Sequence, residues 1–159
     1  MLYTGAQQLE GNVGEMAGAT IAVASDHAGF DLKELLKRDL QEAGYAVLDL
    51  GTNSTASVDY PDFGKAMGEA IASGKAEKGV LVCGSGIGIS IAANRNPMVR
   101  AVLAHDATSA RLSREHNDAN VVAFGQRMTG IEVAREALKV FLDTPFEGGR
   151  HAGRVAKLS

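Results

Sequence analysis

The chain has 159 residues, 45% hydrophobic and 22% charged, with 16 basic against 19 acidic side chains and a formal net charge of −3. That length predicts one domain able to bury a core without staples, and the acidic balance argues against a general nucleic-acid binder. A single cysteine excludes an intrachain disulfide or a Cys-rich metal site, and aromatic residues at 5% with no Trp disfavour a flavin site or a base-stacking platform.

Residues 1–18 carry several glycines and no sustained period, which predicts a flexible N-terminal extension. They lack the basic and apolar regions of a signal peptide. No apolar run approaches the roughly 18 residues of a membrane span. The expectation is a cytoplasmic protein with no membrane partner.

From Thr20 the pattern becomes regular. Thr20–Ser25 is a short apolar run with β-branched residues, the mark of a buried strand. Phe30 to Ala43 has helical spacing of Leu32, Leu35, Leu36 and Leu40, and Gly44 fits its stop. Ala46–Leu50 predicts a second strand, residues 51–60 a polar loop, and Pro61 opens a helix to about Ser73. Gly79–Cys83, Arg100–Ala104 and Val121–Phe124 read as strands three to five. Ile87–Asn94, Ala107–His116 and Ile131–Leu142 read as the helices that follow them. The tail from Glu147 is short and basic. This alternation predicts a three-layer, Rossmann-like α/β fold over residues 19–159, with a five-stranded parallel sheet and helices on both faces.

In such a sheet the ligand crevice lies outside the C-terminal ends of the strands. Strand one ends in Ser25-Asp26-His27, strand three in Cys83-Gly84-Ser85-Gly86-Ile87-Gly88, and strand five in Gly125-Gln126-Arg127. Strand two leads into Asp59-Tyr60. The Cys83 loop is not a Walker A loop, because Ile89 follows Gly88 where a Lys is required. Its glycine spacing also differs from a dinucleotide fingerprint, and a cysteine phosphatase would need Arg at Ile89. A nest of amides at a helix start remains, and it stabilises an anion or a thiolate. The alternative is an inert buried Cys beside glycines needed for packing. His27 and His116 are acid/base candidates, and the four histidines show no metal-ligand spacing. Arg150 and Arg154 stand at i and i+4, so a helical tail would put both on one face, suited to a phosphate.

These stretches together resemble the ribose-5-phosphate isomerase B family, which groups with the galactose-6-phosphate isomerase subunits. The match includes residues 25–30, Gly51-Thr52, Asp59-Tyr60-Pro61, residues 83–94 and Arg114-Glu115-His116-Asn117-Asp118. It closes with Phe124-Gly125-Gln126-Arg127 and residues 147–155. The resemblance implies interconversion of ribose 5-phosphate and ribulose 5-phosphate without metal or cofactor. Cys83 then looks like the base that moves a proton between C1 and C2. Some family members carry Glu at the position of Ile89 and lack the Cys, so this chain resembles the cysteine type. Ser85 and the amides around Gly84, Gly86 and Gly88 look like enediolate stabilisers. His116 looks like the ring-opening group, with Asn117 beside it. Asp26, Asp59 and Tyr60 look like sugar contacts, and His27, Arg127, Arg150 and Arg154 like phosphate ligands.

Two other readings stand beside this one, a hexose 6-phosphate isomerase and a non-catalytic sugar-phosphate sensor. A sensor has no use for a thiol or a ring-opening His. The helix after strand four starts near Asp106, at the ligand edge, and carries His116 about 15 Å away from it. A neighbouring chain would then have to bring His116 to Cys83, which a two-fold dimer does twice. The family implies such shared sites, in a homodimer or tetramer.

Overall fold

The computed structural model describes residues 18–159; the predicted N-terminal extension, up to Ala17, lies outside them. The strands are β1 (Thr20–Ser25), β2 (Ala46–Asp49), β3 (Lys78–Cys83), β4 (Ala101–Leu103) and β5 (Val121–Gly125). The helices are α1 (Phe30–Glu42), α2 (Tyr60–Ala72), α3 (Ile87–Asn94), α4 (Ala107–Asn117), α5 (Ile131–Asp143) and α6 (Arg150–Ala156). A short 3-10 turn, His27–Gly29, leads from β1 into α1. All five strands are parallel, in the order β2-β1-β3-β5-β4. The expected architecture is present, with the tail helical over Arg150–Ala156. No helix among the described residues is long and apolar enough to cross a membrane.

Alternation along the strands builds two cores. Ile21, Val23, Val80, Val82, Val122 and Phe124 face α1, α4 and α5. Ala22, Ala24, Leu81, Cys83, Val121 and Ala123 face α2 and α3. A strand buried on both faces shows no polar alternation, which is why the strands read as continuous apolar runs.

The observed boundaries differ from the expected ones where side chains replace the ladder. β4 is only three residues long, because the Arg100 amide donates to the Asn120 side chain at 2.8 Å rather than to a strand. α4 runs one residue further than expected and ends on Asp118, a non-glycine residue at φ 48°. Arg114, 7% exposed, offsets that strain by bonding the Asp118 carboxylate at 2.8 Å and the carbonyls of Ala119 and Thr144. The start of α4 is held by Asp106, whose carboxylate accepts the Ser109 amide at 2.7 Å in a capping box.

One close approach couples the sheet to the loop after β3. A Cβ on Gly125 would lie 2.5 Å from the Ser85 carbonyl group. Backbone against backbone cannot yield cheaply. Gly125→Ala should therefore lower stability by about 1–3 kcal/mol, the usual cost of overpacking. A urea midpoint unchanged from wild type would show that the loop after β3 can move off β5.

Candidate active site

The strand order brings three loops together. β1, β3 and β5 are adjacent, so the segments after Ser25, Cys83 and Gly125 emerge side by side at the C-terminal edge. The chain leaves β1 toward β2 and leaves β3 toward the other side of the sheet, so the connections diverge between them. An open cleft of about 320 Å³ lies at this edge. Asp26, His27 and Ala28 form one wall; Cys83, Gly84, Ser85 and Gly88 form the floor; Tyr60, Arg127 and Met128 complete it.

Cys83 ends β3 and is 4% exposed. The Gly86 amide donates to its sulfur at 3.1 Å, and the Ile87 amide donates to Ser85 Oγ at 3.2 Å. Gly86 reaches this position at φ 78°, where a Cβ would lie 2.5 Å from Leu103 Cδ1. A side chain is excluded there on both counts. α3 begins at Ile87 without a side-chain cap. Its first-turn amides and its dipole favour a negatively charged oxygen held at the cleft floor.

The other walls are fixed in different ways. Asp26 is 6% exposed, and its Oδ1 accepts the Gly29 amide at 3.1 Å, capping the 3-10 turn. His27 Nδ1 accepts the Val58 amide at 3.1 Å. Arg127 lies over Gly84, whose added Cβ would sit 3.2 Å from Nη1. Its own chain's cleft is thus the one Arg127 lines. Tyr60 rests against Gly88, where a Cβ would lie 2.7 Å from the ring. Asp59 is exposed at the N-cap of α2 and stands outside the cleft wall.

The remaining predicted residues lie elsewhere. α4 ends at the opposite edge of the sheet, where Arg100, just before β4, bonds the Asp118 carbonyl at 2.8 Å. His116 and Asn117 are at that end, far along the strand direction from Cys83. The Glu147 amide bonds the Glu115 carbonyl at 3.2 Å, which brings α6 against α4. His151 then stacks on His116 at 4.4 Å between ring centroids and 17° between planes. Arg150 and Arg154 are exposed on α6. Burial, His116 and Arg150 together push the His151 imidazole below its ordinary value, against the opposing pull of Glu147.

The sequence reading missed Ala28 and Met128 in the cleft and His151 and Glu147 beside His116. Spacing could not have found the pair of histidines, since they are 35 positions apart in the chain and meet only through α6. Ligand atoms of His116, Glu147 and His151 lie within 4.8 Å of one another. Nearly parallel rings, however, direct their lone pairs along parallel planes that do not meet on one ion. Arg150 and Arg154 add positive charge nearby. The cluster suits an anion better than a cation.

A cleft of amides, a thiol and an arginine at the mouth of a parallel α/β sheet suits a small anionic ligand. The Ribose/Galactose Isomerase family profile matches residues 21–158, and the chain belongs to that family. It is 45% identical over 139 residues to ribose-5-phosphate isomerase B of Escherichia coli, covering 87% of this chain and 93% of that one. It is 40% identical over 140 residues to D-erythrulose-4-phosphate isomerase of Pectobacterium atrosepticum, covering 87% and 92%. The Clostridium thermocellum ribose-5-phosphate isomerase B structure aligns with a TM-score of 0.86 at 47% identity, over 87% of this chain and 94% of that one.

Because the chain has one cysteine, alkylation reads the cleft directly. Iodoacetamide should add a single group, at Cys83, and inorganic phosphate should slow the addition severalfold by occupying the space between Arg127 and the loop amides. Mass spectrometry follows both. Equal rates with and without phosphate would mean that the anion binds away from the thiol.

Proposed function

We propose that the protein interconverts ribose 5-phosphate and ribulose 5-phosphate by proton transfer, with Cys83 as the base. The observation that carries this reading is the Cys83 sulfur on the cleft floor, receiving the Gly86 amide at 3.1 Å. A base held beside fixed N–H donors is what an enediolate reaction requires. Cys83 takes the proton from C2 of the open-chain aldose, and the electron pair moves toward the C1 oxygen. The C2 hydroxyl proton passes to the C1 oxygen, and return of the proton from Cys83 to C1 forms the carbonyl at C2 and gives the ketose. The oxygens that gain negative charge meet the amides around Gly84–Gly88 and Ser85. Asp26 and Tyr60 contact the sugar, and Asp59, outside the cleft wall, reaches it only if the N-cap of α2 moves inward. His27 and Arg127 face the phosphate, which takes no part in the chemistry and serves to hold the sugar in register.

Ring opening by His116 requires a second copy, because His116 stands at the far edge of its own sheet. Exposed apolar side chains beside the cleft support such a partner: Ile87 and Ile91, one turn apart on α3, are 51% and 52% exposed. A two-fold dimer would bring His116, Asn117, Arg150 and Arg154 of each chain to the cleft of the other.

The relatives named above act on four- and five-carbon sugar phosphates, so the assay compares erythrulose, ribose, allose and galactose phosphates. Ribose 5-phosphate should be turned over fastest. Cys83→Ala should lower kcat by about 10²–10⁴-fold, the scale of a lost general base, with fold and substrate affinity kept. Near-wild-type turnover by that variant would remove the thiol from the mechanism. Sharing of the site has its own test. Cys83→Ala and His116→Ala, inactive alone, should recover about a quarter of wild-type activity when mixed at random, since half the dimers then hold one intact site of two. No recovery with proven mixed dimers would mean that each chain completes its own site.

A further inference from the structure

Lys33 lies outside the reacting set, yet its side chain is fully buried. Its Nζ donates to Asp49 Oδ1 at 2.9 Å and to the Thr52 carbonyl at 2.5 Å. The same Asp49 oxygen accepts the Gly51 amide at 2.9 Å, and Lys37 holds the other oxygen at 2.9 Å. Burial raises the Asp49 carboxyl, but these bonds outweigh it and leave it below the ordinary range. Ser25, at the end of β1, exchanges backbone bonds with Gly51 and Thr52 at 2.8 and 2.9 Å. Thus the chain leaving β2 is clamped at Thr52. Beyond it, residues 53–57 are exposed, and the next tie to the body is the Val58 amide on His27 Nδ1.

That second tie has a chemical consequence. A backbone N–H only donates, so His27 Nδ1 must accept and carries no proton. In the neutral ring the proton then sits on Nε2, the remaining polar atom of a side chain that lines the cleft. We propose that the segment from Thr52 to Val58 is a strap that fixes the tautomer and direction of His27, with Lys33 as the positioning residue that anchors it. His27 then meets a phosphate oxygen as a neutral donor, and Arg127 supplies positive charge. The phosphate role of His27 rests on the function proposed above; the tautomer does not.

The test pairs spectroscopy with kinetics. Long-range ¹H–¹⁵N spectra of wild type should show His27 as the pure Nε2–H tautomer. Lys33→Met releases the near clamp, and Val58→Pro removes the N–H at the far one. Each should turn His27 into a mixture of tautomers and raise KM for ribose 5-phosphate about tenfold, with kcat changed less than threefold. Asp49→Asn, which keeps the shape of the anchor and removes its charge, replaces Lys33→Met if that variant does not fold. A folded Val58→Pro protein in which His27 stays purely Nε2–H overturns the strap. A folded anchor variant with wild-type tautomer and KM overturns the role of Lys33. A wild type with the expected tautomer but no isomerase activity would sink the proposed function and leave the strap standing.

Discussion

The chemistry of the cleft depends on how flat the loop after β3 lies on β5. The Gly86 amide reaches the Cys83 sulfur because the loop turns through a left-handed residue and lies directly against the backbone of Phe124 and Gly125. Two glycines, Gly86 in the loop after β3 and Gly125 at the end of β5, make the approach possible. The same contact sets where α3 starts, and so where its dipole points. Further bonds lock the layers: Gln126 and Arg127 donate their amides to the carbonyls of Cys83 and Gly84 at 2.9 and 3.0 Å. The Gln126 side chain accepts the Leu32 amide at 2.9 Å, satisfying a first-turn donor of α1. One short stretch after β5 thereby positions the thiol loop, the cleft-lining Arg127 and the entry to α1.

Electrostatics divide between the two edges of the sheet. At the C-terminal edge the cleft offers mainly fixed dipoles, with Arg127 as its guanidinium. At the opposite edge, Arg150 and Arg154 project from α6 beside the stacked His116 and His151. Neither edge alone holds both the thiol and the pair Arg150 and Arg154. A parallel sheet makes this separation unavoidable, since a helix that returns the chain must end at the edge where the next strand begins. Residues at strand ends and residues at helix ends therefore face opposite ways in one chain.

Much of the fold was legible because parallel strands buried on both faces are continuous apolar runs, and Gly44 and Pro61 punctuate the helices between them. The cleft was legible for the same topological reason, as reactive residues followed strands one, three and five. Less legible were features that depend on a tertiary partner. Asp118 ends α4 in a left-handed conformation that the local sequence does not advertise, because buried Arg114 secures it from a turn away. Lys33 sits among leucines in α1 and reads as a surface residue until Asp49 and the Thr52 carbonyl arrive from the next connection. His151 gains its place only when α6 packs on α4.

A buried lysine is a poor way to gain stability, since the cost of stripping water from an ammonium and a carboxylate often exceeds their attraction. A methionine would fill the same space at lower cost. What a methionine lacks is direction: an ammonium presents three donors, and here one meets Asp49 while another meets the carbonyl of Thr52. Apolar contact is non-directional and would hold the chain near the sheet without fixing which way its peptide groups point. The segment that follows has few other ties before Val58, so orientation set at Thr52 governs how the Val58 amide arrives at His27. The ion pair is best understood as geometry supplied to the cleft, with its energetic cost carried by the two large apolar cores on either side of the sheet.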